Sequence, residues 1–148
     1  MANRVPRQGG FTLLEIMFTL SIVSILAMVA VPTYLDYTVR ARISEGFSLV
    51  EPVKGMVVEY YDVTGTWPNS NQVAAVAPPA SFKTDYVDSI SIAKNAAGAA
   101  ITITYSILAL GANNTIVFTP SDIGGSMIAW SCKNGTVINK FRPPACRI

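Results

Sequence analysis

The chain has 148 residues, a length that suits one domain with an accessory segment. Its 11 basic and 9 acidic side chains give a net charge of +2, which is too balanced for a strong electrostatic nucleic-acid binder. With no histidine, two cysteines and 51% hydrophobic residues, the composition excludes histidine-based catalysis, a four-cysteine metal centre and wholesale disorder.

A short basic head precedes a long apolar run at the N-terminus. Arg4 and Arg7 account for the whole positive excess of the chain. Residues 11–31 are apolar except for Thr12, Glu15, Thr19, Ser21 and Ser24. Because about 20 apolar residues of helix cross a bilayer, this run can span a membrane. The basic head predicts a cytoplasmic N-terminus, with the residues after the run on the other side.

An ordinary secretory signal peptide fits this segment in charge and position but not in its cleavage site. A cut after Ala30 would put Met28 where a small residue is preferred, and Pro32 follows closely. The small pair Gly9 and Gly10 instead precedes the apolar run, so a cut there would leave the helix attached. A removed signal peptide and an uncleaved membrane anchor are the two alternatives.

Glu15 is the residue that discriminates among these interpretations. An ionised carboxylate inside a membrane helix costs about 2–3 kcal/mol or more, so it needs either a shallow position or a partner. A cut after Gly10 would create an α-amino group on Phe11, four residues away and repeated on every copy of the chain. An amine–carboxylate pair between copies would neutralise both groups and fix their register.

The residues from Gly10 to Glu15, with the basic leader before them and the apolar run after them, resemble the processing motif of type IV pilins. The resemblance implies that a prepilin peptidase cleaves after Gly10 and N-methylates Phe11. It also implies that Glu15 guides subunit docking and that these helices form the core of a filament. Minor pilins and type II secretion pseudopilins share the motif.

The helical pattern continues beyond the apolar run. Pro32 is expected to kink the helix because it has no N–H to donate to Met28, and Pro52 predicts a second bend. The apolar residues that recur at three- and four-residue steps are Leu35, Val39, Ile43, Phe47, Val50, Val53 and Val57. A helix over residues 11–61 would be about 77 Å long. We expect its first half to protrude and its second half to pack on a sheet.

The remainder predicts a loop followed by short strands. Proline, glycine and asparagine interrupt residues 62–85, and we expect residues 64–81 to be exposed on the surface. Alternating residues then predict strands near residues 89–92, 101–107, 115–119 and 126–132, with loops at 95–98, 111–114 and 120–125. Asn134 and Gly135 predict a hairpin turn. The fold class is therefore α+β, with a long helix on an antiparallel meander of about four strands.

Cys132 and Cys146 are expected to pair, because two cysteines outside the cytoplasm usually form a disulfide. A loop of this size stabilises a protein by roughly 3 kcal/mol in the chain-entropy model. A buried pair of free thiols is the alternative. The pairing also resembles the C-terminal disulfide loop of type IVa pilins, which major pseudopilins lack.

The basic residues near the C-terminus are Lys133, Lys140, Arg142 and Arg147. We interpret them as solvated charges, with salt-sensitive contact to DNA or an anionic surface as the alternative. No nucleophile has a base partner and no glycine-rich phosphate loop occurs, so the sequence predicts no enzyme, metal site or cofactor.

These features predict a major or major-like type IVa pilin, which is a structural, homo-oligomeric subunit of a retractable surface fibre. Residues 1–10 are the leader, residues 11–31 the transmembrane and filament-core helix, and residues 32–148 the rest of the helix and the head. The head is periplasmic before assembly and extracellular afterwards. The resemblance implies adhesion and twitching motility, with the assembly machinery as partner. DNA uptake is a further role in this class that the residues do not support. The alternatives are a minor pilin or pseudopilin, and a membrane-anchored periplasmic binding domain.

Overall fold

A computed structural model of the chain describes residues 9–96, 98–122 and 128–148. The elements in chain order are the helix α1 (Leu13–Thr64) and the strands β1 (Val87–Asn95), β2 (Gly98–Tyr105), β3 (Thr115–Asp122) and β4 (Ile128–Asn134). Short 3₁₀ turns occupy Pro79–Phe82, Leu108–Leu110 and Pro144–Cys146. The prediction of one long helix with a four-stranded sheet is confirmed.

The chain divides into two compact units between Leu35 and Asp36, and α1 contributes to both. In the first unit, every large apolar side chain between Phe11 and Val31 is exposed. The helix continues through Pro32 and Pro52 without a break in its assignment. One long helix is therefore confirmed, whereas the bends at the two prolines stay predictions.

The second unit is built around an antiparallel sheet with the strand order β1-β2-β3-β4. Strands that are consecutive in the chain are neighbours in the sheet, because the loops that join them are short. Along β2, the buried Ile101, Ile103 and Tyr105 alternate with the half-buried Thr102 and Thr104, because successive residues point to opposite faces of the sheet. The buried side chains that the four strands contribute include Val87, Ile90, Ile92, Ile101, Ile103, Tyr105, Ile116, Phe118 and Cys132.

One face of α1 covers this sheet with the predicted apolar stripe. The buried helix residues are Val39, Ile43, Gly46, Val50, Val53 and Val57. Leu35, which the pattern placed in the stripe, is instead exposed. Phe47 is half-buried and meets Phe118 of β3 edge to face at 5.3 Å between ring centroids, and the ammonium of Lys54 lies 4.2 Å from the same ring. The stripe is thus the core contact between helix and sheet.

The connection between α1 and β1 is less exposed than its composition predicted. Asn71 is only 5% exposed, because its side chain satisfies backbone groups on the open edge of β1. Its amide oxygen accepts from the N–H of Ile92 at 2.7 Å, and its amide nitrogen donates to the carbonyl of Ile90 at 3.0 Å. An edge strand otherwise offers unpaired groups to other chains, so this loop closes part of that edge.

The ends of two strands differ from the prediction. The expected loop at residues 120–125 begins later, because β3 continues through Pro120 to Asp122. Beyond Phe118, β3 pairs only with β4, and a proline is tolerated where a strand has a free side. β2 ends at Tyr105 rather than at residue 107, since the chain turns there into the 3₁₀ segment Leu108–Leu110. Residues 123–127, including the predicted start of the fourth strand, lie outside the described residues.

The turn predicted at Asn134 and Gly135 exists, but it is not a hairpin between two strands. Gly135 has φ +108, a backbone conformation that glycine adopts without strain. The N–H groups of Thr136 and Val137 then donate to the carbonyl of Thr115 at the start of β3. The turn therefore returns the C-terminal segment to the sheet without adding a strand in the described residues.

Tyr105 of β2 packs against the helix at Gly46. Its side chain is 1% exposed, and its hydroxyl donates to the carbonyl of Ile43 at 3.0 Å. The ring lies directly over Gly46, where a Cβ atom would come 2.5 Å from the hydroxyl oxygen. Gly46 is therefore needed for close packing rather than being a flaw in the helix.

We expect Gly46→Ala to destabilise the head by about 1–3 kcal/mol, because the added methyl group overpacks the contact with Tyr105. The matched control is Gly55→Ala in the same helix, where nothing lies within 4 Å of the new Cβ atom. That variant should be neutral or more stable by up to about 1 kcal/mol, since alanine favours helix. Urea unfolding of the full chain in detergent micelles measures both values, and equal effects would contradict the packing argument.

The stability of the head should fall in alkaline solution because of Tyr105. Burial raises the pKa of its hydroxyl, and the charge of Glu45 raises it further. The unfolded chain releases this proton near pH 10, whereas the folded chain keeps it. The protonated Tyr105 therefore contributes its full stabilisation to the folded head below about pH 10. Above that pH the free energy of unfolding falls by about 1.4 kcal/mol per pH unit.

Unfolding curves between pH 8 and pH 11 test this expectation. Tyr105→Phe should show a shallower alkaline decline than the unsubstituted protein. Tyr37→Phe, at a residue that is 71% exposed, should keep the full decline. An identical pH profile for all three proteins would show that Tyr105 does not carry the effect.

Candidate assembly segment and disulfide-bonded loop

The predicted cleavage bond lies just before the helix, in exposed chain. Gly10 and Phe11 precede the first helical residue, Leu13, and the Phe11 side chain is 77% exposed. A protease binds its substrate in extended form, so a bond outside regular helix is accessible without unwinding. The basic residues of the predicted leader lie outside the described residues.

Thr12 begins the helix as its N-cap. Its hydroxyl oxygen accepts from the backbone N–H of Glu15 at 3.2 Å, which satisfies one of the free donors of the first turn. Threonine followed three residues later by glutamate is a known sequence signal for a helix start, and it could have placed the start of α1 from the sequence. The cap positions Glu15 in the first turn of α1, where the helix dipole favours a negative charge.

The hydroxyl groups of the apolar segment are satisfied within the helix itself. Thr19 donates to the carbonyl of Ile16 at 2.9 Å. Ser21 donates to Met17 and Ser24 to Leu20, four residues back in each case. Such bonds let serine and threonine lie in apolar surroundings without an external partner.

Glu15 is the exception in this segment. Its side chain is exposed, and no cationic group of the described residues lies within 4.0 Å of its carboxylate. The apolar part of α1 is long enough to cross a membrane by its length and composition. In such surroundings Glu15 would be the group that still requires a partner.

The predicted disulfide between Cys132 and Cys146 is present. It joins β4 to the 3₁₀ turn Pro144–Cys146, with a sequence separation of 14 residues. Both cysteines are buried, so the bridge belongs to the core as well as to the C-terminal loop.

Arg142 lies inside this loop and is 1% exposed, which contradicts its interpretation as a solvated surface charge. Its guanidinium makes no ion pair in the described part of the chain, and it donates instead to backbone carbonyls. The acceptors are Lys133, Val137 and Gly135 at 2.5, 2.6 and 2.8 Å, and Cys132 and Cys146 at 3.4 Å each. Burial lowers the pKa of this guanidinium from its ordinary value. No sequence pattern distinguishes this arginine from its exposed neighbours.

The other basic residues near the C-terminus do not form a free cationic patch together. Lys140 pairs with Asp36 at 2.8 Å, and Arg147 donates from Nε to the carbonyl of Arg142 at 3.2 Å. The predicted group of four positive charges is therefore partly neutralised and partly buried. This arrangement removes the main support for contact with DNA.

The described residues contain no group of three histidine, cysteine or acidic side chains that could hold a metal ion. The N-terminal apolar segment can associate with lipid or with other apolar helices, and the disulfide-bonded loop can make the head resist unfolding. The N-terminal segment presents apolar surface with one carboxylate, and the disulfide-bonded loop presents a cross-linked surface.

Two family descriptions match the chain and together cover most of it. Residues 5–31 match the prokaryotic N-terminal methylation motif. Residues 39–147 match the pilin family of bacterial filaments. The first match contains the predicted cleavage bond and Glu15, and the second contains the head with its disulfide.

Similar proteins include two kinds of fibre protein from bacteria. The fimbrial protein EcpC of Eikenella corrodens is 34% identical over 142 residues, which cover 95% of this chain and 91% of that protein. A type IV major pilin protein PilE1 of Neisseria gonorrhoeae is 46% identical over 110 residues, which cover 74% of this chain and 63% of that protein. A fimbrial protein of Neisseria meningitidis serogroup A is 48% identical over 85 residues, which cover 57% of this chain and 50% of that protein. From its methylation motif, its helix-on-sheet head and these matches, the chain belongs to the pilin family of bacterial filament proteins.

Proposed function

We propose that the chain is a structural subunit of a type IV pilus, of the type IVa class. The observation that carries the proposal is a segment with exposed apolar side chains and one carboxylate that has no ion-pair partner among the described residues, in a chain of the pilin family. Such a segment is stable in lipid or against copies of itself. When subunits polymerise, contact with neighbouring helices replaces contact with lipid. Extraction from the membrane then need not expose the helix to water.

The mechanism that we propose has three steps. A prepilin peptidase cleaves between Gly10 and Phe11 and methylates the new amino group of Phe11. The processed subunit lies in the inner membrane with its head in the periplasm, and the assembly machinery transfers it to the filament. There, Glu15 pairs with the N-terminal amine of a neighbouring subunit. Residues 1–10 are thus the leader and residues 11–31 the segment that forms the filament core.

We propose the pairing of Glu15 with a neighbouring amine because the other polar groups of the segment already have hydrogen-bond partners. Its hydroxyl groups donate to helix carbonyls, and Thr12 caps the first turn, so these groups need no partner from another chain. A carboxylate in an apolar medium costs about 2.5–3.5 kcal/mol, and a neighbouring amine offsets that cost only at one axial position. The pair therefore selects the register of the subunits.

We further propose that the fibre is retractable and serves adhesion to host or abiotic surfaces and twitching motility, powered by separate ATPases. DNA uptake is the weakest of these roles, because Arg142 is buried and Lys140 is paired with Asp36. The alternatives are a minor pilin or pseudopilin that initiates a filament or drives secretion. An uncleaved, membrane-anchored binding domain is a more distant alternative.

We expect Glu15→Val and Glu15→Ala to insert into the membrane normally but to form few or no fibres, since the neutral side chain cannot pair with an amine. The matched control is Thr19→Val in the same segment, which removes only a hydroxyl that is satisfied inside the helix. The measurement is the amount of the protein in sheared fibres relative to the membrane fraction. Normal piliation by the Glu15 variants would contradict the register mechanism.

The intact mass of the protein in sheared fibres tests processing and abundance together. We expect a chain that begins at methylated Phe11, is two hydrogens lighter for the disulfide and dominates the preparation. The same N-terminus found only in membranes would instead indicate a minor pilin or pseudopilin. A chain that retains its first ten residues, or starts after Ala30, would rule out the proposed mechanism.

A further inference from the structure

The C-terminal loop is closed twice, once by the disulfide and once by the guanidinium of Arg142. Arg142 is 1% exposed, and its three shortest bonds reach the carbonyls of Lys133, Gly135 and Val137. These carbonyls belong to the segment that follows Cys132. The guanidinium therefore ties the Cys132 side of the loop to residue 142.

Arg142 is also connected to the other cysteine. It lies four residues before Cys146, and its Nη1 atom donates to the carbonyls of both Cys132 and Cys146 at 3.4 Å. The backbone N–H of Cys146 donates to Pro143 at 3.0 Å, so the short turn after Arg142 has a defined path. One side chain thus contacts the backbone at both ends of the disulfide.

We propose that Arg142 is a positioning residue for disulfide formation. It brings Cys132 and Cys146 together before oxidation and keeps the loop closed when the bridge is reduced. A guanidinium carries five N–H donors in a planar fork, and a buried guanidinium needs most of them satisfied. The carbonyls that satisfy Arg142 are available together only when the loop is closed. Folding of the loop around the charge therefore aligns the two thiols.

The chemical step is a thiol–disulfide exchange. The thiolate of one cysteine attacks a disulfide of the oxidant, which releases one oxidant sulfur and forms a mixed disulfide. The thiolate of the second cysteine then attacks the first cysteine's sulfur and releases the other oxidant sulfur. One S–S bond forms in the protein and one breaks in the oxidant. Two electrons pass to the oxidant, whose two sulfurs leave as thiols with the two protons. In the cell the oxidant would be an extracytoplasmic protein with a reactive disulfide, and in the test it is oxidised glutathione.

The experiment measures the effective concentration of the two thiols in the full chain, from its redox equilibrium with reduced and oxidised glutathione in detergent micelles. We expect Arg142→Lys to lower this value by about tenfold or more, because a lysine cannot satisfy the same carbonyls and a buried charged hydrogen bond corresponds to about that factor. Each variant is measured where circular dichroism shows it folded. An unchanged effective concentration would overturn the proposal.

The matched control is Arg147→Lys, in the same loop and with the same change of side chain. Arg147 is exposed, and among the described residues its side chain donates only to the carbonyl of Arg142. Its substitution should change the effective concentration by no more than about twofold. An equal decrease in both variants would show that any change in the loop has this effect, and would overturn a specific role for Arg142.

A second measurement needs no variant and applies even if Arg142→Lys fails to fold. The Nε–H proton of Arg142 is bonded to the carbonyl of Val137 and should exchange slowly with solvent. If Arg142 holds the loop, this proton stays protected in the reduced protein. If its protection is lost on reduction, the disulfide holds the arginine and the proposal is wrong. Neither measurement depends on whether the chain assembles into a pilus.

Discussion

The structure depends on an apolar helix surface that the chain leaves exposed. Between Phe11 and Val31 every large apolar side chain is accessible, and burying each one is worth about 1.5–3 kcal/mol. Only lipid or other apolar helices can provide that burial. Because the hydroxyl groups in this segment bond to the helix backbone, the demand for a specific partner falls on Glu15 alone. In the assembly that we propose, this single carboxylate makes the association of the helices selective.

The same helix has a different task after residue 35, where its stripe becomes the core of a domain. Contact with the sheet requires close approach at one place, and Tyr105 over Gly46 provides it. A buried tyrosine needs a hydrogen-bond partner, and the carbonyl of Ile43 supplies one because the ring can pass over a residue without a side chain. Of the two glycines inside the head part of the helix, Gly46 is required for this packing, whereas a Cβ atom added at Gly55 would meet no other part of the structure within 4 Å.

Two charged residues of the head, Arg142 and Lys140, connect parts of the fold to each other. Arg142 organises the C-terminal loop by binding carbonyls, and Lys140 joins that loop to the helix through Asp36. A buried arginine without an acidic partner is stable only when its donors are satisfied, which explains why the loop wraps so closely around it. The disulfide and the guanidinium thus both constrain the same segment. Such a loop can vary at its exposed residues while its backbone path is maintained.

Local patterns in the sequence were sufficient for the helix, the strand count, the disulfide and the position of Glu15 in its apolar segment. Each depends on periodicity, composition or cysteine number, which are properties of neighbouring residues. The tertiary structure alone decided the features that depend on distant residues: Asn71 on the edge of β1, Tyr105 over Gly46, and the burial of Arg142. An asparagine in a loop or an arginine near a terminus has the same local signature whether it is buried or solvated. Which of the two holds is determined by where the remote carbonyls and N–H groups come to lie when the chain folds.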